Sequence, residues 1–213
     1  MHANPASVSP ENPLTVVKMS KKPRLYTLGE YLQRSEKVQE RLEYRNGIIT
    51  KLPMARVPHN TITANVVAAL KFAFRQLQPS DKKYRICTGQ QIVYLPKLNF
   101  GLYPDILVLI DPPQCFDNNQ VLLTNPLIII EVLSKSTKKY DKSLKFLEYK
   151  SLDSFEEYLL IDPESCHVDV FFRETPQSWR NITFTHLTDT ILLNSTGCII
   201  SLADIYEDIV FTK

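Results

Sequence analysis

"LIIIEVLSKST", residues 127–137, sets a carboxylate, Glu131, inside an apolar run. A strand this uniformly apolar belongs in the middle of a sheet covered on both faces. A charge in such a strand is costly unless a cation or strong hydrogen bonds compensate it, so something must hold Glu131. "YPDILVLI", residues 103–110, repeats the pattern with Asp105, which follows Pro104 at the start of its strand, whereas Glu131 lies toward the end of the other. If the two strands pair antiparallel, start meets end, and the carboxylates become cross-strand neighbours within about 5 Å. Two anions at that separation either share a proton or hold a divalent cation. Hard oxygen ligands with no Cys or His beside them suit Mg²⁺ or Mn²⁺. Taken singly, each acid is more ordinarily a turn residue or a solvent-facing strand end.

The flanking sequence supplies the rest of a layered domain. Residues 1–22 carry Pro5, Pro10 and Pro13 without any period and read as a flexible leader, so one domain is expected over 23–213. Thr27 with Glu30 forms a capping-box pattern opening a helix through about Glu36. Arg41–Tyr44 and Ile48–Leu52 flank Asn46-Gly47, a strong hairpin signal. From Asn60 to Leu77, apolar residues recur at helical spacing. Short strands are expected at Tyr84–Cys87, Gln91–Leu95, Tyr103–Ile110, Leu127–Leu133, Glu157–Ile161, Val168–Arg173 and Thr183–Leu187, with a second long helix over about Asp141–Leu152. This order favours a mixed β-sheet flanked by helices, α/β or α+β, over a regular βαβ winding.

Composition excludes several function classes. With 213 residues and a net charge of +2, the chain has no global basic field, so any electropositive site must be local. No Gly-rich phosphate loop is present, and five glycines in all argue against nucleotide binding of the dinucleotide or P-loop kind. The four scattered cysteines form no C-x-x-C pair and suit a reducing cytoplasm. No run approaches the length of a membrane span.

Downstream of Glu131, Asp141, Lys145 and Tyr149 recur at i, i+4 and i+8 and share one helix face, with Leu144, Phe146 and Leu147 expected to look inward. The bland reading is an exposed Asp141–Lys145 pair. The sharper one turns Lys145 back toward Glu131, where an ammonium positions water or offsets charge at a phosphate. The connecting segment "SKSTKKYDKSLK" carries Lys135, Lys138, Lys139, Lys142 and Lys145 against Asp141, a local excess suited to a polyanionic backbone.

"YRNGIITKLP", "HNTITANVVAAL", "YPDILVLI", "IIIEVLSKST", "YDKSLKFLEYKSL" and "EEYLLIDPESCHVDVF" follow one another as in the Uma2 family, and the chain resembles that family over about Tyr26–Arg173. The family is similar to the PD-(D/E)XK, restriction-endonuclease-like nucleases. The resemblance implies a mixed sheet between helices, DNA as partner, Mg²⁺ (or Mn²⁺) as cofactor and phosphodiester hydrolysis as reaction. It makes Asp105 the PD aspartate and Glu131 the (D/E) acid, with Val132 offering a backbone carbonyl to the metal and Glu43 extending its shell. Where the superfamily has a lysine two residues after the glutamate, this chain has Leu133. Lys145 is the substitute the family implies, and Lys135 competes with it. Gln91, His59, Lys135, Lys138 and Lys139 are candidates for substrate contact. Cutting both strands of a duplex would call for a homodimer, whereas a nickase needs one site. The alternative reading is a binding module that keeps the fold without turnover. Paired-carboxylate glycosidase chemistry ranks last, because Trp179 is far downstream of the acids.

Overall fold

Residues 24–38, 40–77 and 82–211 are described by the computed structural model, and the expected leader lies outside the described residues. In chain order the first half comprises α1 (Leu28–Lys37), β1 (Leu42–Arg45), β2 (Ile48–Lys51), α2 (Val57–Gln76), β3 (Tyr84–Thr88), β4 (Ile92–Leu95), β5 (Phe100–Leu102) and β6 (Ile106–Ile110). The second half comprises β7 (Leu122–Leu123), β8 (Pro126–Val132), α3 (Lys138–Tyr140), a π-helical turn (Asp141–Lys145), α4 (Phe146–Tyr149), β9 (Glu157–Ile161), β10 (Val168–Thr175), β11 (Ser178–Phe184), β12 (Thr190–Leu193), β13 (Cys198–Ser201) and α5 (Leu202–Ile205).

β8 is a central strand, as its composition dictates. It lies in a six-stranded mixed sheet of order β11-β10-β9-β8-β6-β3, parallel to β9 and antiparallel to β6. Every residue of β8 is buried. Strand alternation sends Ile128, Ile130 and Val132 into one core with Ile62, Val66 and Leu70 of α2 and with the β12–β13 hairpin. Ile129 and Leu133 enter a second core with Phe146, Tyr149, Phe155 and Tyr158. Covering this second face is a five-stranded sheet of order β2-β1-β5-β4-β7, backed by α1. The result is a mixed sheet flanked by helices.

Local chemistry explains most element boundaries. Thr27 and Glu30 form the reciprocal capping box at the start of α1. Asn46 and Gly47 both take positive φ in the β1–β2 turn, and a Cβ on Gly47 would stand 3.1 Å from Leu25 Cβ. α2 begins at Val57, three residues earlier than expected, because Pro58 fits the first turn, where no N–H is needed. The expected strand over Tyr103–Ile110 instead begins three residues late: β6 starts at Ile106 in one sheet, after a separate strand, β5, has ended at Leu102 in the other. Pro104, which lacks an N–H for a ladder, marks the crossing, so Asp105 stands between the two sheets. The last expected strand is also displaced, to Ser178–Phe184, and α5 with its hairpin is an addition to the expected elements. The four cysteines are unpaired. Among the described residues, no helix is long and apolar enough to cross a membrane.

Two ion pairs fasten the helical run 138–149 to the six-stranded sheet. Lys138 Nζ lies 2.7 Å from Asp162 Oδ2, just after β9, and Lys142 Nζ lies 2.8 Å from Asp169 Oδ2 on β10. Thr183 Oγ1 also donates to Asp169, at 2.7 Å. Burial by itself would raise the Asp169 carboxyl, but Lys142 and Thr183 hold it below its ordinary value. A depressed native value means stabilisation that is complete above the ordinary aspartate range, near pH ~3.9, and lost as pH falls through the native value. Asp169→Asn is therefore expected to lower stability by about 1 kcal/mol at neutral pH. In urea titrations the gap to wild type should close as pH falls below the ordinary aspartate range. A gap that persists in acid would show that these pairs are not its source.

Candidate active site

Antiparallel pairing of β6 with β8 sets Ile106 opposite Ile130, and continuing this register by one residue brings Asp105 level with Glu131. Both side chains share the parity of Leu107 and Ile129 and so face the second core, where the helical run approaches. A third acid comes from the other sheet. On β1, Leu42 and Tyr44 are buried against α1, so alternation turns Glu43 the opposite way, toward the six-stranded sheet. These groups line a cavity of about 560 Å³ between the sheets, together with His59, Tyr140, Asp141 and Lys145.

Lys145 is the hub. Its side chain is 5% exposed, and Nζ lies 2.7 Å from Glu131 Oε1, 3.7 Å from Asp141 Oδ1 and 3.8 Å from Glu43 Oε1. It also donates to the Tyr103 carbonyl at 3.2 Å, at the crossing between the sheets. Burial alone would lower its proton affinity, but Glu131, Glu43 and Asp141 raise it above the ordinary lysine value. Tyr149 Oη donates to the same Glu131 oxygen at 3.3 Å.

Asp105 is held from three sides. Oδ2 accepts the Val132 N–H at 3.0 Å and lies 3.0 Å from His59 Nε2, and Oδ1 lies 3.3 Å from Arg41 Nη1. Burial would raise this carboxyl, but His59, Lys145 and the Val132 amide bring it below its ordinary value. His59 reaches it from the first turn of α2, and its Nδ1 is buried without a hydrogen-bond partner. Glu43 Oε2 pairs with Arg45 at 2.8 Å, and Arg45 in turn contacts Tyr140 and Glu148.

Arg41 and Arg45 pair with Asp105 and Glu43, which leaves Lys145 as the shared cation of Glu131 and Asp141. Glu131 is raised well above its ordinary value, by burial first and then by Asp105 and Asp141, with Lys145 opposing. Burial likewise raises Asp141. Carboxyls that cling to protons in this way are relieved by a proton or by a cation. Among the described residues, no three His, Cys, Asp or Glu side chains are grouped so as to hold a metal ion. Mg²⁺ keeps much of its water and takes one or two carboxylates, so Asp105 and Glu131 with the Val132 carbonyl are a donor set of suitable chemistry.

The structure separates the sequence candidates. Asp105, Glu131, Glu43, Lys145 and His59 converge, with Val132 beside them. Glu43 lies on a hairpin strand and is nonetheless buried. Lys145, not Lys135, reaches the glutamate: Lys135 is exposed and pairs with Glu164 at 3.1 Å. Lys138 pairs with Asp162, and neither it, Lys135 nor Lys139 lines the acidic cavity. Gln91 is also elsewhere, its amide donating to the Val121 carbonyl at 2.8 Å. The exposed Asp141–Lys145 pair proves buried, whereas Leu144 and Leu147, expected inside, are 59% and 60% exposed. The π-helical turn changes the phase of the helix, which uniform spacing arithmetic cannot anticipate. Sequence reading missed Arg41 and Arg45 as members of the site, although both stand two residues from Glu43 and so share its strand parity.

Comparisons with known proteins agree with this architecture. The model of the Uma2 family, described as "Putative restriction endonuclease", matches residues 28–203. The Synechocystis sp. (strain ATCC 27184 / PCC 6803 / Kazusa) protein sll1609 is 33% identical over 156 residues, 73% of this chain and 85% of that protein. A second protein of the same organism, slr1290, is 26% identical over 186 residues, 85% of this chain and 92% of its own length. A crystal structure from Anabaena variabilis ATCC 29413, described as "a putative nuclease belonging to DUF820", superposes with a TM-score of 0.66 at 21% identity, covering 87% of this chain and 99% of its own. At that identity the likeness is one of fold.

Proposed function

The chain belongs to the Uma2 family, and on that premise we propose that it is a Mg²⁺-dependent endonuclease that hydrolyses DNA phosphodiester bonds. The observation that carries the reading is the convergence of Asp105 and Glu131, from strands of one sheet, on a cavity that also receives Glu43 from the other sheet and Lys145 from the helical run. A divalent cation held by Asp105, Glu131 and the Val132 carbonyl would supply positive charge at the scissile phosphate and make water a stronger acid.

The residues of the chain do the positioning. His59, Arg41 and the Val132 amide fix the Asp105 carboxylate, so its orientation is set before substrate arrives. Lys145 anchors Glu131 and, with its remaining donor capacity, orients the attacking water and offsets charge on the phosphate. Glu43 ties Lys145 to Arg45 and acts on the site from the outer side. Loss of such an outer partner lowers metal affinity or activity by about 10- to 100-fold. Glu43→Gln is accordingly expected to weaken Mg²⁺ binding by about 10-fold with little change in unfolding temperature, as read by calorimetric titration and thermal melts. An unchanged affinity would remove Glu43 from the site.

The direct test is incubation of the purified protein with supercoiled plasmid and Mg²⁺. Relaxed or linear product should form, stop on chelation and disappear in Asp105→Asn. Relaxed circles alone would mark a nickase, and linear product formed by a dimer would mark two-strand cutting. Cleavage undiminished in Asp105→Asn would overturn the assignment.

A further inference from the structure

The lysine-rich segment after β8 is not a free positive surface. Lys135, Lys138, Lys142 and Lys145 are paired with Glu164, Asp162, Asp169 and Glu131 respectively. A stronger concentration of positive charge lies at the other end of α2. There a groove of about 660 Å³ is lined by Lys71 and Arg75 of α2, by Lys82 and Lys83 on the segment entering β3 and by Arg85 within it, with Asp111 as the one acidic residue among the described lining residues. All five basic residues are exposed, and Asp111 is taken by Arg85 through contacts of 2.8 and 3.2 Å. The stacked rings of Phe74 and Tyr84, 4.9 Å apart, lie within this lining.

Charge on an edge strand has an ordinary explanation, since it discourages pairing with other sheets, and β3 is an edge strand. That duty requires nothing of α2. Yet Lys71 and Arg75 stand one helical turn apart, on the side of α2 that meets β3. Separated, exposed cations in an open groove suit a continuous run of phosphates, such as duplex DNA with one charge per ~1.7 Å of axis. A small anion would need donors converging on one point.

α2 also fixes where this groove lies relative to the acidic cavity. His59 sits in its first turn and Arg75 in its last, 16 residues apart, which at ~1.5 Å per residue is about 24 Å. At ~3.4 Å per base pair, that is about seven base pairs. We infer that the Lys71–Arg75–Arg85 groove is a second backbone-binding site for duplex DNA, engaging phosphates about seven base pairs from the point of cleavage. The inference rests on the endonuclease reading for its ligand and adds to it a site outside the acidic cavity.

The test uses the full chain, fluorescein-labelled DNA hairpins with stems of about 6 and 16 base pairs, chelator to prevent cutting, and anisotropy across a salt series. Wild type should bind the longer stem at least about 10-fold more tightly, and Lys71→Glu/Arg75→Glu should lose that increment and about 2 units of salt slope. Cleavage of the short stem with Mg²⁺ should be unchanged in the same variant, which also reports that the exposed substitutions leave the fold intact. A variant that keeps both the length increment and the slope would overturn the groove while leaving the nuclease reading in place. Length-dependent binding that the variant loses, in a wild type that cuts no DNA, would sustain the groove and sink the nuclease reading. Absence of duplex binding by wild type, or a clear preference for an RNA stem of equal length, would overturn the groove assignment.

Discussion

Glu131→Gln is expected to reduce Mg²⁺-dependent plasmid cleavage by at least about 10³-fold while leaving the protein folded. The amide preserves the shape of a fully buried side chain and still offers an oxygen to Lys145 and Tyr149. It removes the negative charge that a hard cation requires. Burial raises the Glu131 carboxyl above its ordinary value, a cost that a neutral amide does not carry, and Lys145 keeps Asp141 and Glu43 as partners at 3.7 and 3.8 Å. The stability change should therefore stay within about 1 kcal/mol. Cleavage assays, thermal melts and Mg²⁺ titration on the same preparation distinguish lost chemistry from lost structure. A folded Glu131→Gln protein that cuts at the wild-type rate would remove Glu131 from the mechanism.

Lys145→Met should have the larger effect on stability. The ammonium is buried among Glu131, Asp141 and Glu43, and an apolar replacement leaves three carboxyl groups facing one another without their shared cation. Breaking a buried ion pair from one side costs about 3–5 kcal/mol. The loss has a definite pH sign. Glu131 and Asp141 are already raised by burial, and removing Lys145 takes away the charge that opposes the rise. Native values above the unfolded ones mean that stability falls as pH rises through them. The deficit of Lys145→Met in urea unfolding with chelator should thus grow as pH rises above the ordinary carboxylate range, at pH ~4, and shrink on return to it, as the acids take up protons. Cleavage should fall by at least about 10²-fold. Equal stability deficits at both ends of the pH range would show that Lys145 does not serve as the counter-charge.

The positions of Asp105 and Glu131 were legible because two simple rules applied to them. A buried apolar strand tolerates an acid for a reason, and antiparallel pairing joins the start of one strand to the end of the next. Glu43 could be tied to them only through the family resemblance, since its inward direction depends on which face of β1 meets α1. The helical run shows the limit of spacing arithmetic. Spacing puts Asp141, Lys145 and Tyr149 on one face but leaves open whether that face is exposed or turned toward Glu131, and it places Leu144 and Leu147 inside. In the fold, these two leucines are exposed, and the polar face is buried against the acids. A local rule ranks residues by hydrophobicity and cannot know that a cluster of carboxylates waits on the inner side.

Sequence alone therefore determined that β8 is central, that the sheet is mixed and flanked by helices, and that two acids share one strand-pair end, since these follow from short-range patterning and pairing geometry. Tertiary structure decided which lysine reaches Glu131, which loop lysines are paired with acids, and where exposed basic residues collect. Those outcomes depend on partners far apart in the chain, Lys145 with Glu43 and Lys138 with Asp162 among them. Electrostatic interaction falls with distance in space, and only the folded backbone converts separation along the chain into that distance.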